Sequence, residues 1–143
     1  MYHLEESNID NNSSYLGKKA DMTFTIINTK TTPFAELRNG HLEIRGKSVP
    51  FNHPEFYDTI KDRLTVYMKR PEKYTTVDFS LSAVNAASKR SIINTFRVFE
   101  EMSKKGCELE ITWHYQPDDE DVFELGEICK SSFAVNMHMK EIA

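Results

Sequence analysis

The residues best suited to chemistry gather at one junction, Asn85-Ala86-Ala87-Ser88-Lys89. An apolar alternation through Val77, Phe79, Leu81 and Ala83 stops there, and a helical spacing of Ile92, Ile93, Phe96 and Phe99 begins at once. A strand running straight into a helix leaves free backbone N–H groups and the positive end of the helix dipole at the seam. A phosphate, or a partner that senses one, suits such a place. Asn85 is of the type that caps a helix by accepting from an N–H two or three residues on. Ser88 then falls in the first turn, beside Lys89 and Arg90. A phosphate attached here brings about −1.5 to −2 charges to a positive helix end, a sharp local change that leaves the core intact. The plainer reading is a helix cap with small residues approaching the core, and the residues alone leave both open.

Other chemistry-bearing residues point less firmly. Asp118-Asp119-Glu120-Asp121 lacks the spaced oxygen ligands of a calcium loop and reads as a helix N-terminus after Pro117, where carboxylates favour the dipole. An acidic docking surface for a basic partner is the alternative. The histidines His3, His41, His53, His114 and His138 form no H-x-x-x-H or H-E-x-x-H pattern. His114 and His138 fall on polar positions of two strands, so a pair between them is conceivable. No nucleophile elbow, P-loop or dinucleotide fingerprint occurs, and no Ser/His/Asp set is selected. Trp113 and Tyr115 read as core rather than as a stacking platform. Catalytic residues, metal ligands and cofactors are accordingly read as none.

A formal charge of −4 gives no basic stripe for nucleic acid. No apolar run reaches the roughly 18–20 residues that cross a bilayer, and the first residues lack a signal-peptide pattern. Cys107 and Cys129 lie far apart with no C-x-x-C spacing and read as reduced structural thiols of a cytoplasmic protein.

Those residues need elements to position them. Residues 1–20 show no sustained period and read as a mobile tail, and 21–143 read as one domain. Phe24, Ile26 and Ile27 are compatible with a short extra strand. Asn39-Gly40 between alternating runs predicts a hairpin, because both central turn residues need positive φ. Phe56, Ile60, Leu64 and Tyr67 predict a helix over about 53–69, stopped by Pro71. A strand over 75–84 and a helix over 86–105 follow, the latter ended by Lys104-Lys105-Gly106. Leu109, Ile111, Trp113 and Tyr115 alternate as a strand, Val122, Leu125 and Cys129 mark a helix over about 118–131, and Val135, Met137 and Met139 alternate again. Strands apolar at every second position need cover on one face only. The expected fold is α/β: a mixed sheet of about five strands with three helices on one face, joined by right-handed crossovers.

From Thr32 onward, about three quarters of the chain resembles the SiaC family of bacterial regulatory phosphoproteins. The matching stretches are Thr32-Pro33, Gly40 through Ser48, Glu55-Phe56-Tyr57, Asn85 through Lys89, Trp113-His114-Tyr115, and Asp118 to Asp121 ahead of Glu124-Leu125-Gly126-Glu127. The resemblance implies a single STAS-like domain that acts as a phosphorylation-controlled partner switch rather than an enzyme. It implies a cognate kinase, a PP2C-type phosphatase, and a diguanylate cyclase (a GGDEF protein) that the unmodified form binds and activates, raising cyclic di-GMP and favouring biofilm or aggregation. The family reads Asn-Thr-Ser-Ser at the junction and is phosphorylated on the threonine; here that position is Ala86, which has no hydroxyl. A natural loss of the switch, use of Ser88 instead, or a deliberate replacement holding the unmodified state would each account for it. The partner surface is then expected at Asn85, Ala86, Ala87, Ser88 and Lys89. The alternative is a small-ligand or nucleotide-binding module that uses the same helix N-terminus as an anion site.

Overall fold

The computed structural model describes residues 3–6, 23–50 and 55–142. Among them seven strands form one sheet in chain order: β1 (His3–Glu6), β2 (Phe24–Ile27), β3 (Phe34–Arg38), β4 (His41–Ser48), β5 (Tyr74–Val84), β6 (Glu108–Tyr115) and β7 (Asn136–Glu141). Three helices, α1 (Glu55–Tyr67), α2 (Ala86–Lys104) and α3 (Glu120–Ser132), connect the last four strands. Pairing is antiparallel from β1 to β4 and parallel from β4 to β7. Three right-handed crossovers stepping the same way along a sheet put all their helices on one face.

Burial follows that geometry. Leu42 and Ile44, then Val77, Phe79 and Leu81, then Leu109, Ile111 and Trp113 are buried, while the residues between them are not. The α2 side chains Ile92, Phe96, Phe99 and Met102 recur every three or four residues and cover the sheet centre. Phe79 stacks on Phe96 at 5.7 Å between ring centroids and lies 5.0 Å from the Trp113 ring, which ties α2 to β5 and β6.

The α/β architecture with one covered face is the one the alternation predicts. The sheet has seven strands rather than about five, because β1 and β2 have four residues each and carry little period. Of the stretch read as a tail, His3–Glu6 form β1 against β2, and 1–2 and 7–20 lie outside the described residues. The expected hairpin is present, with Asn39 and Gly40 at φ 50° and 78°. The expected helix start at His53 also lies outside the described residues, and α1 is observed from Glu55.

One irregularity matters for the site. The alternation in β5 does not run on through Ala83 as read from the sequence. The β4–β5 register shifts after Gly46, so Leu81 pairs with Gly46 but Ala83 pairs with Lys47 and Val84 with Ser48. Gly46 meets this with φ 113°, a conformation that disfavours a side chain. A bulge of this kind re-aims the residues that follow it. Here it turns the end of β5 so that Asn85 emerges above buried Ser48.

Candidate functional site

The carboxyl ends of parallel strands, where loops enter helices, are the usual sites of recognition in open α/β sheets. The β5–α2 junction and the β6–α3 turn both lie at that end. Asn85 is the N-cap of α2, with extended backbone, and its Oδ1 accepts from the Ser88 N–H at 2.9 Å. Its Nδ2 donates to the Pro50 carbonyl at 2.8 Å, which ties the cap to the chain leaving β4. Ala86 is exposed, Asn85, Ala87 and Lys89 are half-buried, and Ser88 is fully buried.

Burial of Ser88 decides its role. Its hydroxyl points into the molecule and hydrogen-bonds Ser48 Oγ, which lies 2.7 Å from the Tyr57 hydroxyl. That oxygen faces other hydroxyls rather than solvent. Burial of Tyr57 pushes its pKa up to about 12, against weaker opposite effects from the Ser48 and Ser88 hydroxyls, so the phenol stays protonated and able to donate.

The acidic run sits beside the junction. Asp119 caps α3, accepting from the Val122 N–H at 3.1 Å, and Glu120 and Asp121 occupy the first turn. The helix therefore starts two residues later than the expected 118. Lys89 Nζ reaches Asp121 Oδ1 at 3.2 Å and bridges the two helix starts. Together with Ser82 and Gln116 the four carboxylates line a shallow open groove, tied to the junction through the Lys89–Asp121 pair. The Trp113 indole donates to the Val122 carbonyl at 3.0 Å, and Gly126 lies so close to the ring that an added Cβ would be 2.6 Å from it. The acidic turn is thus held rigidly against β6.

The conceivable pairing of His114 with His138 is not formed. β6 and β7 are neighbours, but their register sets His138 opposite Thr112, and His114 opposite Lys140. His114 Nε2 instead meets Asp78 Oδ1 at 3.0 Å, and His41 Nε2 lies 3.4 Å from the other oxygen, Asp78 Oδ2. His41 Nδ1 is 2.6 Å from Thr76 Oγ1. This cluster lies on the open face of the sheet, and among the described residues no group of three or more His, Cys, Asp or Glu converges as a metal ion would need. Both cysteines are free and buried. Among the described residues no helix is long and apolar enough to cross a membrane.

What sequence reasoning missed is the layer below the junction: Ser48 of β4, Pro50 just after it and Tyr57 of α1 are far from Asn85 in the chain. Only the φ-demanding Gly46 hinted at a bulge that aligns them.

Comparison with known proteins gives one consistent picture. An uncharacterized protein of Pseudomonas aeruginosa strain UCBPP-PA14 is 26% identical over 116 residues, which is 77% of this chain and 92% of that protein. SiaC of Pseudomonas aeruginosa superposes with a TM-score of 0.75 at 21% identity, over 87% of this chain and 100% of its own. A chain in the crystal structure of the diguanylate cyclase SiaD in complex with its activator SiaC, from the same organism, superposes with a TM-score of 0.72 at 22% identity, over 82% of this chain and 98% of its own. The fold is theirs, and the sequence match extends across nearly all of it: a family model covers residues 26–142, and the chain belongs to the SiaC family of regulatory phosphoproteins.

Proposed function

We propose that this chain is a non-enzymatic partner-switch protein of the bacterial cytoplasm, which in its unmodified form binds and activates a diguanylate cyclase. The observation that carries the reading is the closed junction: a capped helix start with Ala86 exposed, joined through Lys89 and Asp121 to an acidic groove, on a fold shared with a cyclase activator seen in complex. A small exposed residue at a dipole end admits close approach of a partner, and a phosphate there would place unmatched charge in the interface. Titrating the GGDEF protein of the same genome with the purified chain tests this. The chain should raise cyclic di-GMP synthesis, and Ala86→Glu should weaken binding by roughly tenfold or more, equivalent to ~1.4 kcal/mol. Equal affinities would remove the junction from the interface.

The same geometry bears on the kinase and PP2C-type phosphatase of such a pathway. Ala86 offers no hydroxyl and Ser88 is buried, so this reading holds the chain in its unmodified state. After incubation with the cognate kinase, mass spectrometry should find no phosphate between Asn85 and Lys89, whereas Ala86→Thr should acquire one. Phosphate on Ser88 in the unaltered chain would overturn this part.

An anion site for a nucleotide or small ligand finds less support. The Asn85 side chain already occupies the cap, Lys89 is engaged by Asp121, and four carboxylates face the same groove. Their field opposes a phosphate.

A further inference from the structure

Beneath exposed Ala86, three hydroxyls from three elements meet: Ser88 of α2, Ser48 at the end of β4 and Tyr57 in the first turn of α1. All three residues are at most 1% exposed. Among the described residues these hydroxyls bond only one another. Buried hydroxyls are costly unless satisfied, and a helix start capped by Asn85 needs none of them. Apolar side chains would fill the same space, as they do over most of the core. A polar chain in that place specifies a geometry: Tyr57 and Ser88 are each satisfied only while Ser48, bonded to both, holds its position. Asn85 adds a parallel tie by joining the Ser88 N–H to the Pro50 carbonyl. The register shift in β5, which sets Val84 opposite Ser48, brings the two lines of bonds together.

We propose that the Tyr57–Ser48–Ser88 hydroxyl chain is a positioning lock, which joins the α2 N-terminus, the end of β4 and the start of α1 into one unit that opens or closes together. Outward movement of the α2 start breaks the chain and leaves buried hydroxyls unpaired, so partial opening is unfavourable and the element has two states. Its use in docking rests on the cyclase reading above, with α1 sensing what is bound at Ala86; the coupling itself does not depend on that reading.

The test uses the full chain with Ser48→Ala and Tyr57→Phe. Amide hydrogen exchange is followed by NMR well below the unfolding temperature, with the single tryptophan, Trp113, reporting that each variant is folded. Tyr57→Phe alters α1, yet exchange at the Ser88 and Lys89 amides of α2 should speed up roughly fivefold or more, the loss expected for one hydrogen bond, while Phe96 is unchanged. Ser48→Ala should do the same more strongly. If Ser48→Ala fails to fold, Tyr57→Phe, which removes one oxygen, carries the test. Unchanged exchange at Ser88 and Lys89 would overturn the lock, as would acceleration spread evenly over the whole of α2. Affinity for the cyclase, measured in a cycle with Ala86→Glu, separates the two proposals. Non-additive losses support the lock as part of docking, and strictly additive ones remove it from docking. Should Ala86→Glu leave affinity unaltered, the docking reading fails while the exchange data still decide the lock.

Discussion

Asn85 uses both ends of its amide: the oxygen closes the first turn of α2 and the nitrogen holds the Pro50 carbonyl. Asn85→Ala loses both, and the cap alone is worth ~1 kcal/mol. Its urea midpoint should fall accordingly with an unchanged denaturant slope; a change below a few tenths of a kcal/mol would show that water replaces the cap. Position 86 differs from its neighbour two residues on in a way that types alone hide. Ala86 is exposed and Ser88 buried, so the residue with the reactive group is unreachable and the reachable one has no reactive group. Burial and its bond to Ser48 argue against Ser88 as a substitute acceptor or partner contact.

At the scale of elements, α3 is fixed by its approach to β6. An added Cβ on Gly126 would lie 2.6 Å from Trp113 Cδ1 and Nε1 and 2.7 Å from Met139 Cε. The indole is held by its bond to the Val122 carbonyl and cannot yield freely. Overpacking of this kind costs about 1–3 kcal/mol, so Gly126→Ala should lower thermal stability and shift the fluorescence of Trp113. An unaltered melting curve would mean that α3 moves away without penalty. Along α2, the helical period of Ile92, Ile93, Phe96 and Phe99 was legible, whereas the burial of Ser88 and Met102 toward its two ends was not. The bulge in β5 was not, because a register shift is a relation between two strands and neither strand's own pattern records it.

For the whole molecule, two buried acids set the response to alkali. Burial raises Tyr57 from 10.0 and Cys129 from 9.0, each to about 12. Both are neutral when protonated, and the unfolded chain releases these protons first. Their contribution to stability is therefore complete below about pH 9 and is lost as pH rises toward 12. Denaturation midpoints measured across that range should fall steadily, and Cys129→Ala should flatten the early part of the decline. A flat profile in the unaltered chain would contradict the burial of both groups. The opposite, uncovered face of the sheet carries polar and charged groups, with Asp78 between the imidazoles of His41 and His114 and with Arg45 beside Glu43. Interspersed charge keeps such a face in water.

Local chemistry determined much of this protein in advance. Apolar period separated helices from strands, Asn39-Gly40 fixed the hairpin, alternation showed that one sheet face stays uncovered, and the motif order from Thr32 onward pointed to the family. The tertiary structure alone decided which face of the first α2 turn meets solvent, that Ser48 and Tyr57 meet Ser88 below it, and that His41 rather than His138 joins His114. The reason is physical. Period is a property of one segment and survives in its composition, whereas burial of a single hydroxyl depends on the register between segments distant in the chain, where a shift of one residue turns a side chain from solvent to core.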